Sequence, residues 1–159
     1  MTIDCFNAVD ELVQFELPKD GRLTAQLRWV LMNSHCHSFS LAIQRLTDWR
    51  LVAKVTNGEI VHVLCQMSDA RLVDAECTMK YPEEELFDPS NDPGFRLLPP
   101  GFEFLAKDGW LKSIEDVLIP FAQTRIEELE DEIDEVFHMS EYPFWQSTEN
   151  GRNSLKNGY

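Results

Sequence analysis

Hydrophobic positions along the chain change their spacing from a helical period to a strand period and back. The first apolar stripe with helical spacing starts at Leu23, with Asp20 as a possible cap. A second helix is predicted from about Cys36 to Thr47, with Ser34 as its cap. Its broad apolar face is typical of a helix that is largely buried. The segment before both helices predicts only a short helix or strand, around Ala8 to Leu17.

Three short segments rich in β-branched residues follow, and we interpret them as strands. They are Leu51–Val55, Ile60–Met67 and Leu72–Cys77. The dipeptide Asn57-Gly58 between the first two is typical of a type I′ hairpin turn, and this turn sets Ala53 opposite His62. Since both faces of the sheet are mostly apolar, we expect it to be covered on both sides.

The loop between the second and third strands decides whether His62 and Asp74 can meet. Side chains alternate along a strand, so a loop of three or five residues places both side chains on one face of the sheet. A loop of two or four residues places them on opposite faces. The sequence from Met67 to Ala70 leaves both possibilities open.

The second half of the chain is turn-rich at first and then helical. Five of the eight prolines lie between residues 82 and 100, which predicts an excursion over the surface. A helix from about Ser113 follows, interrupted or kinked at Pro120. These elements predict an α+β fold, with a small antiparallel sheet, a cysteine-bearing helix packed on it and an acidic C-terminal helix. We expect residues 1–145 to form a single α+β domain and residues 146–159 a polar C-terminal tail.

The charge balance excludes several classes of partner. Against 28 aspartates and glutamates there are only 14 lysines and arginines, so the net charge of the 159 residues is −14. Binding to nucleic acid or to an anionic membrane needs clustered basic residues, and direct contact with either is not expected. No apolar run approaches the roughly 20 residues that span a bilayer, and no secretory signal is recognisable. We therefore expect a cytoplasmic protein with no membrane contact.

Four cysteines, at positions 5, 36, 65 and 77, lack the spacing of a disulfide framework or a zinc site. We expect reduced thiols, no metal and no other cofactor. The adjacent His35, Cys36 and His37 do not change this expectation, because neighbouring side chains at a helix start diverge.

Cys36, His62 and Asp74 carry the main chemical hypothesis. Thiol catalysis needs a thiolate, an imidazole base and an acid that orients the imidazole, and these residue types supply them. The positive end of the helix dipole favours a thiolate at Cys36, and protonated His35 or His37 would add to the effect. Two buried ionisable groups on adjacent strands also explain each other, since an unpaired buried carboxylate is strongly penalised. The alternatives without catalysis are that Cys36 is a buried core residue and that His62 has a structural role.

A cysteine that opens a helix, followed by histidine and aspartate on consecutive antiparallel strands, resembles the papain-like superfamily in its transglutaminase-like form. Residues 34–80 carry this resemblance. They are also similar to uncharacterised bacterial and phage proteins with a cysteine helix, a threonine-x-tryptophan motif, an HV pair and an LDA motif. The matching residues are Cys36, Thr47-Asp48-Trp49, His62-Val63 and Leu72-Val73-Asp74-Ala75.

The resemblance implies that Cys36 is the nucleophile, His62 the general base and Asp74 the orienting acid. Members of such families act as peptidases, amidases, deamidases or acyl and glutamine transferases, and some have lost activity. It therefore implies a papain-like thiol hydrolase or an acyl or glutamine transferase that acts on an amide-type bond of a protein or peptide substrate. Asn33, Gln26 or the backbone amide of Cys36 would then stabilise the oxyanion.

A second hypothesis depends on the acidic C-terminal helix instead. Seven of the nine residues from Glu127 to Glu135 are acidic, and such a run is usually the solvated face of a packed helix. The alternative to a solvated face is an interaction surface. The chain would then be a non-catalytic interaction protein, such as a phage or mobile-element inhibitor that mimics nucleic acid and binds a basic protein surface. The net charge is compatible with this partner and with ordinary acidic solubility.

Overall fold

The computed structural model describes residues 1–81, 83–102 and 110–138. Its strands are β1 (Thr2–Phe6), β2 (Leu12–Glu16), β3 (Arg50–Thr56), β4 (Glu59–Gln66), β5 (Leu72–Val73), β6 (Thr78–Met79) and β7 (Gly94–Leu97). Its helices are α1 (Ala25–Asn33), α2 (Cys36–Leu46), α3 (Glu83–Leu86) and α4 (Glu115–His138). The domain limit expected at residue 145 and the tail expected over 146–159 lie outside the described residues.

The α+β architecture expected from the sequence is confirmed. Five strands form an antiparallel sheet in the order β6-β5-β4-β3-β7, while β1 and β2 pair as a separate hairpin. The cysteine-bearing helix α2 packs against the sheet beside β4 and against the acidic helix α4. Helix α2 therefore links the sheet to the C-terminal helix.

Both faces of the sheet are covered, as the apolar strands indicate. On one face Val63 and Cys65 of β4 belong to the main core, together with buried side chains of α1, α2 and α4. On the other face Leu64 belongs to a smaller cluster that is closed by Leu86 of α3. The alternation of odd and even positions along β4 therefore separates two apolar layers.

Both helix caps differ from the expected ones. Helix α1 begins after Thr24, whose hydroxyl accepts a hydrogen bond from the N–H of Leu27 at 3.1 Å, so Asp20 is not the cap. Helix α2 begins after His35 without a side-chain cap. The hydroxyl of Ser34 accepts from the N–H of Phe6 at 2.8 Å and so joins the helix start to β1. Ser34 thus binds a distant strand and does not cap its own helix.

The β3–β4 hairpin has the expected turn but not the expected register at His62. Asn57 and Gly58 both have positive φ, at 53° and 78°, as a type I′ turn requires. The register then shifts, because Val55 pairs with Ile60 whereas Lys54 pairs with His62. Ala53 therefore lies opposite Val63, so the expected pairing of Ala53 with His62 is wrong. The cause is a β-bulge that leaves Val61 as the extra residue.

The β4–β5 connection has the odd residue count that brings His62 and Asp74 to one face. Five residues separate the two strands, and Cys65 pairs with Val73. The expected single strand Leu72–Cys77 is wrong, however, since β5 ends at Val73 and the chain turns before β6. The carboxylate of Asp74 accepts hydrogen bonds from two backbone N–H groups of this turn, which competes with continued strand pairing.

Two further segments contain more regular structure than the sequence indicates. Of the short helix or strand expected around Ala8–Leu17, the structure contains the strand, β2, which also pairs antiparallel with β1 in a hairpin. The proline-rich excursion contributes the edge strand β7, which pairs with β3 through Ala53 and Arg96. The prolines therefore lie in the turns on either side of this strand and do not prevent a strand from forming between them.

The segment was expected to be interrupted or kinked at Pro120, and helix α4 is not interrupted there. Proline lacks the N–H for one intrahelical hydrogen bond, and the side chain of Pro120 is exposed, so the helix accommodates it near its start. No helix within the described part of the chain is long and apolar enough to cross a lipid bilayer.

Substitution of Phe39 tests how α2 packs against the sheet. It lies on α2, is 1% exposed, and is among the largest fully buried side chains of the described core. Phe39→Ala is expected to lower the free energy of unfolding by about 3–5 kcal/mol, because it leaves a cavity between the sheet and the helices. The matched control is Leu46→Ala on the same helix, where the side chain is 39% exposed and the loss should stay below about 1 kcal/mol. Urea unfolding measures both, and equal losses would contradict the packing of α2.

Candidate active site

Three different elements carry Cys36, His62 and Asp74. Cys36 is the first residue of α2, His62 follows the bulge in β4, and Asp74 is the first residue after β5. Helix α2 is joined to β4 by two hydrogen bonds close to these residues. The Ser40 hydroxyl donates to the Val63 carbonyl at 3.1 Å, and the Cys65 thiol donates to the Ser40 carbonyl at 3.3 Å. These bonds hold the start of α2 next to His62.

A partly buried hydrogen bond joins His62 to Asp74. The distance from Nε2 of His62 to Oδ2 of Asp74 is 3.0 Å, and the two side chains are 15% and 4% exposed. A carboxylate only accepts, so Nε2 carries the proton. The second oxygen of Asp74 accepts from the N–H of Glu76 at 2.9 Å and from that of Cys77 at 2.6 Å. Both carboxylate oxygens are therefore satisfied.

His62 also lies close enough to Cys36 for this side chain to raise the pKa of the histidine. Burial alone would lower the pKa of His62, but the hydrogen bonds to Asp74 and Cys36 and the negative charges of both residues raise it to about 10. His62 is therefore an imidazolium at neutral pH, with the carboxylate of Asp74 and the side chain of Cys36 as its neighbours.

The pKa of Asp74 is shifted in the opposite direction. Burial would raise it, but the hydrogen bond and positive charge of His62, together with the N–H groups of Cys77 and Glu76, lower it below the ordinary 3.8. Asp74 is therefore ionised at neutral pH. The pair His62–Asp74 consists of two charged groups that stabilise each other in a buried environment.

A β-bulge lies directly before His62 in β4. Strict alternation would give His62 the face of Leu64, which belongs to the cluster away from α2. The extra residue Val61 interrupts the alternation between Ile60 and His62. A bulge bends the strand and redirects its side chains, and such bulges are frequent beside active sites.

Cys36 borders a surface pocket of about 220 Å³. The other residues that line it are Phe6, Met32, Asn33, Ser34, Val61, Trp110 and Leu111. Of the groups expected to hold an oxyanion, Asn33 lies at the pocket, although its amide already donates to the Trp29 carbonyl at 2.8 Å. Gln26 is exposed and is not among the lining residues. The N–H of Cys36 has no acceptor within its helix, because it belongs to the first turn.

The two histidines beside Cys36 have other partners. Nε2 of His35 lies 2.5 Å from the Asp4 carbonyl, and burial lowers the pKa of this histidine despite that contact. The ring of His37 hydrogen-bonds the Phe102 carbonyl through Nε2. The expected help from a protonated His35 is therefore not supported, and His62 is the histidine that contacts the thiol.

Sequence reasoning missed the arginines that hold the turn after β5. Arg125 donates from Nε to the Asp74 carbonyl at 2.7 Å, and Arg28 donates from Nη1 to the Ala75 carbonyl at 2.8 Å. Arg125 is the signal that could have been recognised, since a basic residue lies next to the apolar stripe of an acidic helix. Such a residue is seldom fully buried unless it is paired.

Two of the remaining thiols, those of Cys5 and Cys65, are buried in the core. Burial raises the pKa of Cys65 to about 12, and burial together with the Asp4 charge raises that of Cys5. None of the four cysteines forms a disulfide. Among the described residues, no group of three histidine, cysteine or acidic side chains has the arrangement of a metal site.

Asp74→Asn tests the His62–Asp74 pair. We expect the pKa of His62 to fall by roughly 1–3 pH units and the free energy of unfolding at pH 7 to fall by about 3 kcal/mol, because the variant breaks a buried pair. The control is Asp69→Asn in the neighbouring turn, whose carboxylate is half exposed and binds Arg71 instead. NMR titration of the imidazole and urea unfolding measure the two effects. An unchanged His62 titration would show that the residues are not partners.

The His62–Asp74 pair also determines how the stability of the fold changes with pH. The folded pKa of His62, about 10, lies above the ordinary 6.5, so its stabilisation is complete below pH 6.5 and is lost as the pH rises through 10. The pKa of Asp74 is lowered, so its stabilisation is present above pH 3.8 and is lost as the pH falls through the lower folded value. The stability difference between wild type and Asp74→Asn should therefore shrink at both extremes of pH.

The site as a whole combines a thiol at a helix start, a histidine paired with a buried aspartate, and an adjoining pocket. A scan against protein-family models, a search of curated proteins and a search of solved structures each found no match.

Proposed function

We propose that the chain is a thiol hydrolase or an acyl or glutamine transferase, similar to papain-like or transglutaminase-like enzymes, acting on an amide-type bond. One observation supports this proposal above all. His62 contacts both the buried carboxylate of Asp74 and the thiol of Cys36, and Cys36 borders a pocket. A protein or peptide is the proposed substrate class.

The proposed reaction has two steps. The Cys36 sulfur attacks the carbonyl carbon, a C–S bond forms, the C–N bond breaks, and the His62 imidazolium gives its proton to the departing amine. Water or an acceptor amine then attacks the thioester, His62 takes a proton from this nucleophile, and the sulfur leaves as thiolate. Asp74 keeps the imidazole oriented through Nε2 in both steps. The N–H of Cys36 is the favoured donor to the oxyanion, because it is free of intrahelical bonding.

The pocket favours an uncharged substrate group beside the reacting bond. Apart from Cys36, its lining side chains are apolar, aromatic or neutral and polar, and Val61 and Met32 are examples of the apolar ones. A charged group would lose hydration there without gaining an ion partner. An apolar or amide side chain fits these surroundings better.

Alkylation by iodoacetamide tests the proposed nucleophile. At pH 7 we expect Cys36 to react at least about tenfold faster than Cys5 and Cys65, because Cys36 borders a pocket beside His62, whereas burial raises the pKa of the Cys5 and Cys65 thiols. His62→Ala should remove most of this difference. Peptide mapping by mass spectrometry measures the rate at each cysteine.

The matched control for this experiment is His37→Ala, which removes a histidine next to Cys36 in sequence that binds the Phe102 carbonyl instead. Its effect on the Cys36 rate should be small. If Cys36 reacts no faster than Cys5, Cys65 and Cys77 in the wild type, the thiol-enzyme proposal is wrong.

The second candidate function is binding of a basic protein by α4. Glu127, Glu130 and Asp131 support it because they are exposed on one stretch of the helix. Glu128 and Glu132 weigh against it, since both pair with Arg125. Only part of the acidic run is therefore available to a partner.

Charge reversal tests this candidate with a poly-lysine peptide as the probe. Under the binding proposal, changing Glu127, Glu130 and Asp131 to lysine should weaken binding about tenfold, whereas Cys36→Ala should leave it unchanged. The control reverses the exposed Glu16, Glu59 and Glu85, which changes the net charge by the same amount elsewhere. Isothermal titration at two salt concentrations measures both. Equal losses in the two triple variants would show that only net charge matters.

A further inference from the structure

The turn that carries Asp74 is held from outside by two arginines from two helices. Arg125 of α4 donates from Nε to the Asp74 carbonyl at 2.7 Å and from Nη2 to the Cys77 carbonyl at 3.2 Å. Arg28 of α1 donates from Nη1 to the Ala75 carbonyl at 2.8 Å. The guanidinium groups thus bind carbonyls at the start, the middle and the end of the turn.

The amide groups of the same turn point the other way, towards the carboxylate. The N–H groups of Glu76 and Cys77 both donate to Oδ1 of Asp74. The carbonyl of Ala75 and the N–H of Glu76 belong to one planar peptide unit and point in opposite directions. When Arg28 draws that carbonyl outwards, the N–H is therefore turned towards Asp74. The arginines and the carboxylate bind the turn from its two sides.

The charge of Arg125 is balanced by the acidic run on its own helix. Arg125 is 3% exposed, and a buried guanidinium needs a nearby anion. Nη1 of Arg125 lies 3.3 Å from Glu128 and 3.6 Å from Glu132. Glu128 also binds both Nη atoms of Arg28. One glutamate thus joins the two arginines that hold the turn.

We propose that Arg125 is a positioning residue for Asp74, assisted by Arg28, and that it holds the turn so that Oδ2 of Asp74 faces His62. Arg125 acts through the turn, by way of backbone carbonyls. The catalytic meaning of this role rests on the proposed function. The orientation of the carboxylate towards His62 does not, so it can be measured separately.

The test compares Arg125→Gln, Arg125→Lys and Arg28→Gln with the wild type. NMR titration of the His62 ring measures whether Oδ2 still faces the imidazole, and iodoacetamide measures the Cys36 rate. Arg125→Gln should lower the His62 pKa by about 1 pH unit or more and slow the alkylation of Cys36 about tenfold. Lysine keeps the charge but lacks the planar fork, so Arg125→Lys should give a smaller change in the same direction.

Arg45→Gln is the matched control. Arg45 also forms an ion pair with α4, through Asp116, but both side chains are largely exposed and neither is among the groups that bind the turn. This variant should leave the His62 pKa and the Cys36 rate unchanged. A merely structural contribution of arginine–α4 pairs would move the unfolding midpoint without moving the titration of His62.

The outcomes separate this inference from the proposed function. A wild-type His62 pKa in folded Arg125→Gln and Arg28→Gln would overturn the positioning role. If Arg125→Gln does not fold, Arg125→Lys and Arg28→Gln decide, and failure of all three to fold would also overturn it, because the arginines would then support the whole fold. A lowered His62 pKa in a protein whose Cys36 is unreactive would keep the positioning role and reject the thiol enzyme.

Discussion

The buried carboxylate of Asp74 is the constraint on which the surrounding structure depends. A charge that is 3% exposed is tolerated only if hydrogen bonds and an opposite charge replace its lost hydration. Asp74 obtains them from backbone N–H groups of its own turn and from the His62 ring. Meeting this requirement ends β5 at Val73, forms the turn and orients the imidazole. The same few bonds therefore satisfy a folding requirement and build the candidate site.

The acidic character of α4 has a different meaning once the contacts are known. A run of like charges on a helix is usually solvated, and Glu127 and Glu130 follow that rule. Glu128 instead pairs with Arg28 and Arg125, whose guanidinium groups bind the turn after β5. Part of the negative charge therefore supports the turn after β5. The C-terminal helix is thereby connected to His62 through a chain of bonded groups.

The local parts of the fold were predictable, and the competing contacts were not. Helix α2 and the Asn57-Gly58 turn follow from spacing and turn chemistry, both of which act over a few residues. The cap of α2 was not predictable, because the Ser34 hydroxyl binds the N–H of Phe6 on a distant strand. Strand β7 was also missed, since a short edge strand between prolines leaves little periodic signal. Long-range partners decided each of these cases.

The sequence by itself determined which residue types were available, and that His62 and Asp74 would share a face only if the loop between their strands had an odd number of residues. Their pairing was predictable because two buried ionisable groups need each other. Only the tertiary structure decided that a bulge shifts the register at His62, and that α2 lies where Cys36 meets the imidazole. It alone brought Arg125 to the turn, 51 residues along the chain from Asp74. A pattern along the chain describes the faces of single elements, whereas contacts between elements depend on how the whole core packs.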